Sequence, residues 1–171
     1  MTSVSDNYVA ADAAEFRQAV GHYASGITIV TGMDGTEPAG FTCQSFSSLS
    51  LDPPLVSFNV MKSSTTYPRI APTGRFAVNL LADEQQVLAS QFARSGTDKW
   101  AGVDWHGTPT GNPLLPGALA WVDCELWAEH EAGDHTLVIG RVIDVGIIEP
   151  GSRRPLLYFR GAFGSLGQGD A

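Results

Sequence analysis

The sequence predicts a mainly β domain, a small barrel with flanking helices. Three observations carry that prediction. Runs of β-branched and aromatic residues outnumber the helical patterns. Turn signals such as Asp34-Gly35 and Gly133-Asp134 join neighbouring strands as hairpins. Strands and helices do not alternate as a parallel sheet would require. A sheet built of hairpins has two exposed edges, and closing it on itself removes them.

Taken in order, residues 1–10 read as a flexible leader and residues 11–166 as the folded domain. Asp12 opens a helix, with Glu15 three positions on as the partner of a capping box. Phe16, Ala19, Val20 and Tyr23 share one face at helical spacing, so this helix is expected to pack on something, and Gly26 ends it. Residues 27–31 are β-branched throughout and read as a strand. The Asp34-Gly35 turn leads into strand 38–44, where Ala39, Phe41 and Cys43 alternate with Gly40, Thr42 and Gln44. Four serines then fall within six positions: Ser45, Ser47, Ser48 and Ser50. They suit either a Ser-rich turn or the polar edge of a planar ligand. Pro53-Pro54 forbids helix and forces an extended exit into strand 55–60.

Residues 61–74 form a loop and a short helix interrupted by proline, and residues 75–81 a strand. Asp83 caps a second helix reaching about Arg94, with Val87, Leu88 and Phe92 facing inward. Residues 95–117 are polar and rich in Gly and Pro, and they carry Trp100 and Trp105. A loop of that length in a compact domain is usually functional or mobile. Residues 118–130 and 135–149 form a long strand pair, and 155–159 the last strand.

The chain of 171 residues is the size of one domain with a real core. Its net charge of −8 argues against nucleic acid and anionic membranes as partners. Any phosphate must therefore be met by a local cation. Cys43 and Cys124 stand far apart, with no metal-ligand spacing, which points to a reducing compartment. Residues 1–9 lack the pattern of a signal peptide, and no apolar run is long enough to span a bilayer, so a cytoplasmic protein is expected. The dinucleotide fingerprint G-x-G-x-x-G, the phosphate loop G-x-x-x-x-G-K, H-E-x-x-H and G-x-S-x-G are all absent.

Lys62-Ser63-Ser64-Thr65-Thr66 is the best phosphate candidate: one cation and four hydroxyls follow a strand and lead into a helix start. A solvated loop before a helix cap is the plainer reading of the same string. His135 follows Gly133-Asp134 at a hairpin turn, where a histidine is either structural or exposed to a ligand. His130 lies nearby but lacks further ligands for a metal, and no metal is expected. His22 and His106 carry no motif.

The pattern G-F-T-x-x-S-F-x-S-x-S-x-D-P-P-L-V over residues 40–56 resembles the flavin-binding stretch of the short-chain flavin reductases. These are NAD(P)H:flavin oxidoreductases that feed two-component monooxygenases. The resemblance continues, in the family's order, through residues 25–31, 74–81, 98–102, 133–135 and 155–158, and spans about residues 14–166. It implies a six-stranded split β-barrel of the Greek-key, FMN-binding type, with flanking helices, working as a homodimer. It implies FMN or FAD, with NADH as hydride source and NADPH as the alternative. It also implies a separate flavin-dependent monooxygenase that receives diffusible reduced flavin. By the same resemblance, Pro38, Ala39, Gly40 and Phe41 lie alongside the flavin ring, and Thr42, Gln44 and Ser45 supply donors to it. Asn59, Val60 and Met61, and Gln91 with Phe92, are further contacts, while Lys62, Ser64, Thr65 and Thr66 hold the phosphate side. The family often has arginine where Thr65 stands, and phenylalanine where Trp100 stands in Asp98-Lys99-Trp100, a motif given a substrate-side role. His135, Arg154 and Tyr158 are assigned to NAD(P)H, the last two facing the site across the dimer. No catalytic side chain is implied, because hydride passes directly between the cofactors. The readings set against this are a flavin- or haem-binding carrier or sensor, a flavin-dependent oxidase, and a structural barrel without ligand.

Overall fold

The structure, a computed structural model, describes residues 12–148 and 153–167. The leader expected at 1–10 lies outside the described residues. In chain order the elements are α1 (Ala13–Val20), β1 (Ser25–Gly26), β2 (Thr28–Asp34), β3 (Glu37–Cys43), β4 (Ser47–Leu51), β5 (Pro54–Met61), α2 (Tyr67–Ile70), β6 (Arg75–Leu80), α3 (Gln86–Ala93), β7 (His106–Gly107), β8 (Pro113–Leu114), β9 (Ala120–Ala132), β10 (His135–Ile147), β11 (Leu157–Phe159) and β12 (Ala162–Gly164). Among the described residues no helix is long and apolar enough to cross a membrane.

The principal sheet is antiparallel and has seven strands in the order β3-β2-β6-β9-β10-β5-β4. The seventh strand is β4, the serine run expected as a turn. Its residues are mostly exposed and pair with β5 as Ser47 opposite Ser57 and Ser48 opposite Val56. Leu49 and Leu51 do alternate with Ser48 and Ser50, but both leucines are exposed, and a run this short and rich in serine also reads as a turn.

The sheet is curled, and the topology proves it. Its two edges, β3 and β4, are joined by residues 44–46 alone. Seven flat strands would hold their edges about 29 Å apart, while that link reaches only about 14 Å. Ser45 fastens the link to β5: its hydroxyl accepts from the Asn59 N–H at 2.8 Å and donates to the Asn59 carbonyl at 3.1 Å.

Inside the curl, Val56, Phe58 and Val60 of β5 point inward, while Ser57, Asn59 and Met61 point out, as a period of two requires. Phe58 is wholly buried, meets Phe76 edge-on at 5.3 Å and packs on Tyr67 and Phe41 at 6.2 and 6.0 Å. A second cluster outside the sheet seats Ala89 and Phe92 of α3 on Ile29, Leu81 and Leu115. Val87, expected inward, is 78% exposed. Counting back from Phe92, Ala89 and Leu88 fall one turn away and Val87 falls beyond them, so Ala89 takes the buried place.

Asp12 caps α1, accepting from the Ala14 N–H at 2.7 Å, as expected. The helix ends at Val20 rather than near Gly26, and none of its residues is buried. The packing expected of Phe16, Val20 and Tyr23 is not met among the described residues; Tyr23 is 81% exposed.

A buried polar network fastens the far end of the 95–117 loop. The Asn79 amide donates to the Ile29 carbonyl, the Thr31 hydroxyl and the Pro113 carbonyl, and its oxygen accepts from the Leu115 N–H at 2.9 Å. The buried Asp123 accepts from the Thr110 hydroxyl at 2.6 Å and the Asn112 amide at 2.8 Å.

Candidate active site

The rim where β3 faces β5 is where the sheet fails to pair. As an edge strand, β3 keeps backbone N–H and C=O groups without a strand partner on the side away from β2. Most of the residues singled out in the sequence gather here. Gln44, Ser45, Asn59, Met61, Lys62 and Thr65 are exposed along the rim, and Thr42, Ser64 and Gln91 are half-buried.

Several expected ring contacts are corrected by burial. Ala39 belongs to the core inside the curl, as does the buried side chain of Val60, and the half-buried Phe41 packs on it. Gly40 faces α3 so closely that a Cβ would lie 2.8 Å from the Phe92 ring. Phe92 itself is wholly buried, and its ring meets Trp100 edge-on at 4.9 Å. Alternation along β3 explains the set: one face fills the curl and the other is covered by a helix. What Ala39, Gly40, Phe41 and Val60 can offer a ligand is backbone, and Phe92 is a wall of the core. Thr42 spends its hydroxyl on the Ala89 carbonyl at 2.6 Å, fixing α3 to β3. Pro38 is half-buried at the start of the strand.

The hydroxyl loop is ordered by its own bonds. The Ser64 hydroxyl accepts from the N–H groups of Thr66 and Tyr67 at 3.3 and 3.2 Å, capping α2. Tyr67 donates to Glu129 at 2.7 Å, and burial, then that carboxylate, push its phenol well above the usual range. Lys62 is paired with Glu131. Arg69 is paired with Asp34 at 2.8 Å.

A third cation reaches this loop. Lys99 donates to the buried Thr66 hydroxyl at 3.3 Å. Burial, then the Arg69 charge, hold its ammonium below the usual range. Sequence reasoning placed Lys99 only in a substrate-side motif. The chain has two lysines, Lys62 and Lys99, and only the structure shows that the second also reaches the hydroxyl loop. Gln91 anchors the segment, donating to the Lys99 and Ala101 carbonyls at 2.9 and 3.0 Å. Beside it the Trp100 indole N–H is buried with no acceptor among the described residues.

His135 stands opposite Met61 where β10 pairs with β5, so the hairpin turn arrives beside Lys62, whose N–H donates to the Asp134 carbonyl at 3.0 Å. The His135 Nδ1 lies 2.7 Å from the Asp134 carboxylate, and this hydrogen bond holds that carboxyl below its usual range. Tyr158 lies elsewhere, opposite Ser25 and edge-on to Phe163. It lines a cavity of about 470 Å³ with Gln44, His22, Arg17 and Arg160. Arg154 is paired with Asp83 at 3.3 Å in a separate depression. The three residues assigned to NAD(P)H thus have different neighbours within one chain.

The rim combines strand-edge backbone donors, hydroxyls and a cation, Lys99, that has no carboxylate within ion-pair distance among the described residues. The hydrogen-bonded His135–Asp134 pair stands beside it at the hairpin turn. Residues 20–167 match the description "Flavin reductase like domain". The chain belongs to that family. Among curated flavin reductase relatives, the reductase subunit HsaB of a flavin-dependent monooxygenase from Rhodococcus jostii (strain RHA1) is 44% identical over 161 residues, 92% of this chain and 82% of that one. Among solved structures, nitrilotriacetate monooxygenase component B from Mycobacterium thermoresistibile superposes with a TM-score of 0.89 at 39% identity, covering 92% of this chain and 88% of that one. The NADH:FAD oxidoreductase SgcE6 of Streptomyces globisporus, in complex with NAD and FAD fragments, superposes with a TM-score of 0.86 at 35% identity over 94% of this chain and 96% of that one. The flavin reductase rim fits such a ligand on its own chemistry: open strand-edge donors suit a planar ring with a polar edge, and the cation suits a phosphate.

Proposed function

We propose that the protein is an NAD(P)H-dependent flavin reductase that delivers reduced FMN or FAD to a separate monooxygenase. The observation that carries this is the coincidence of family membership with an open, donor-rich rim at the unpaired edge of β3. Bound flavin supplies the hydride acceptor, and nicotinamide the hydride. The chain's part is positional. Backbone groups of residues 38–42, with Gln44, Ser45, Asn59 and Met61, hold the ring edge. Lys62, Ser64, Thr65 and Thr66 hold the phosphate side, and Gln91 fixes the segment above them. His135 orients the nicotinamide from the hairpin beside Met61. An exposed rim supports loading and release of flavin within each turnover.

A homodimer completes the reading. Exposed Ile143, Val145 and Ile147 on β10, and the bare face of α1, are apolar surface of the kind a second copy covers. Such a copy would bring an Arg154 and a Tyr158 toward the His135 of its neighbour. Free, buried Cys43 and Cys124 support a reducing, cytoplasmic setting. NADH is taken as the hydride source, with NADPH as the alternative.

The test follows NADH absorbance with flavin-free protein, with and without added FMN, FAD or riboflavin. Rapid oxidation that depends on added flavin is the expected result. Flavin binding without oxidation of NADH or NADPH would replace the reductase by a carrier or an oxidase and remove the role of His135.

A further inference from the structure

We infer that Lys99, rather than Lys62, is the cation that receives the 5′-phosphate of the flavin. The inference rests on the flavin reading above and assigns a new residue to it. Both lysines reach the Ser64–Thr66 loop, and their surroundings differ. Lys62 is exposed and its charge is already matched by Glu131. Among the described residues no carboxylate lies within ion-pair distance of Lys99. Its one recorded side-chain partner is the neutral Thr66 hydroxyl, at 3.3 Å. An ammonium carries three donors, so the half-buried Lys99 keeps donors to spare. The Arg69 charge that acts on it is also positive.

That arrangement is unfavourable until an anion arrives. It is not the result of a slack loop, because the backbone of the segment is pinned. Gln91 holds the Lys99 and Ala101 carbonyls, and Asp98 accepts from the Trp100 N–H at 3.0 Å. The fold therefore fixes an unmatched positive charge beside the hydroxyls of Ser64 and Thr66. A phosphate monoester supplies the missing charge and several acceptors at one point. The chain needs a cation at this loop, and Lys99 brings one from 33 residues away.

The experiment compares FMN with riboflavin, which has the same ring and ribityl chain but no phosphate. Equilibrium binding of each is measured by flavin fluorescence for the natural protein and for Lys99→Met, Lys99→Arg and Lys62→Met. The natural protein is expected to prefer FMN. Lys99→Met should weaken FMN binding about tenfold and leave riboflavin within twofold, with preference restored in Lys99→Arg. Lys62→Met should reduce the preference less than Lys99→Met. Equal losses for both flavins in Lys99→Met would make Lys99 a mere tether of the loop and overturn the inference. So would an unchanged FMN affinity, or a larger effect of Lys62→Met. The parallel NADH assay keeps the two readings apart. Tight, phosphate-dependent binding without NADH oxidation would remove the reductase and keep Lys99. Oxidation of NADH without phosphate preference would do the reverse.

Discussion

Two polar regions of this molecule sit on opposite arms of one loop, and they are built on opposite terms. Around Asn79 and Asp123 the polar groups are buried and matched: the Asn79 side chain alone serves the Ile29 and Pro113 carbonyls, the Thr31 hydroxyl and the Leu115 N–H. Around Lys99 and Trp100 the groups are partly buried and, among the described residues, left short, with one cation lacking an acid and one indole N–H lacking an acceptor. Closed networks hold a fold in one state. Groups left short mark where the chain expects something that is not part of itself. The difference separates polar residues that serve stability from those that serve binding, although both kinds stand in the same stretch of sequence.

The largest effect is expected from breaking the closed side. Asn79→Ala strands several buried backbone groups, and unfolding in urea should show a loss of about 3 kcal/mol. The same measurement on Lys99→Met should show little change, since the removed charge had no anion to lose.

A middle-sized effect tests how dry the wall between the regions is. Burial pushes the Cys43 thiol up, and burial, then the Asp123 charge, push the Cys124 thiol up to about 12. An acid raised in the folded state keeps its proton while the unfolded chain loses its own, so stability is full below pH 9 and falls as pH rises above it. Urea unfolding at pH 10 should show a loss of about 1 kcal/mol for Cys124 relative to pH 8, absent in Cys124→Ala. A flat profile would mean that water reaches the sulfur.

The smallest effect sharpens the open side. Trp100→Phe removes the buried N–H without an acceptor and keeps an aromatic ring on Phe92. Thermal unfolding should show stability unchanged or raised by up to about 1 kcal/mol. A marked loss would mean that the indole fills space a phenyl ring cannot.

Much of the fold was legible because its strands obey a period of two. Ala39, Phe41 and Cys43 alternate into the core as their spacing says, and Asp34-Gly35 turns β2 into β3. β4 was hidden, since its short Ser-Leu alternation lies on an exposed edge and is indistinguishable from a serine-rich turn. At the site, the rim residues could be named from pattern, but not which of them point outward. Phe92 and Val60 resemble ligand contacts in sequence and are core in space. Val87 was misjudged because a short helix fixes its phase only when its partner strands are known. Lys99 and Thr66 meet through the path of a long loop, and no local spacing encodes that meeting.

The three-residue link from β3 to β4 has a mechanical meaning. Edge strands ordinarily fray one at a time, because each is held by a single neighbour. Here the two edges share a short leash, and Ser45 on that leash grips Asn59. Neither can peel away without drawing the other, so the rim opens as one unit. The open side of the curled sheet behaves as a drawstring rather than as two loose hems.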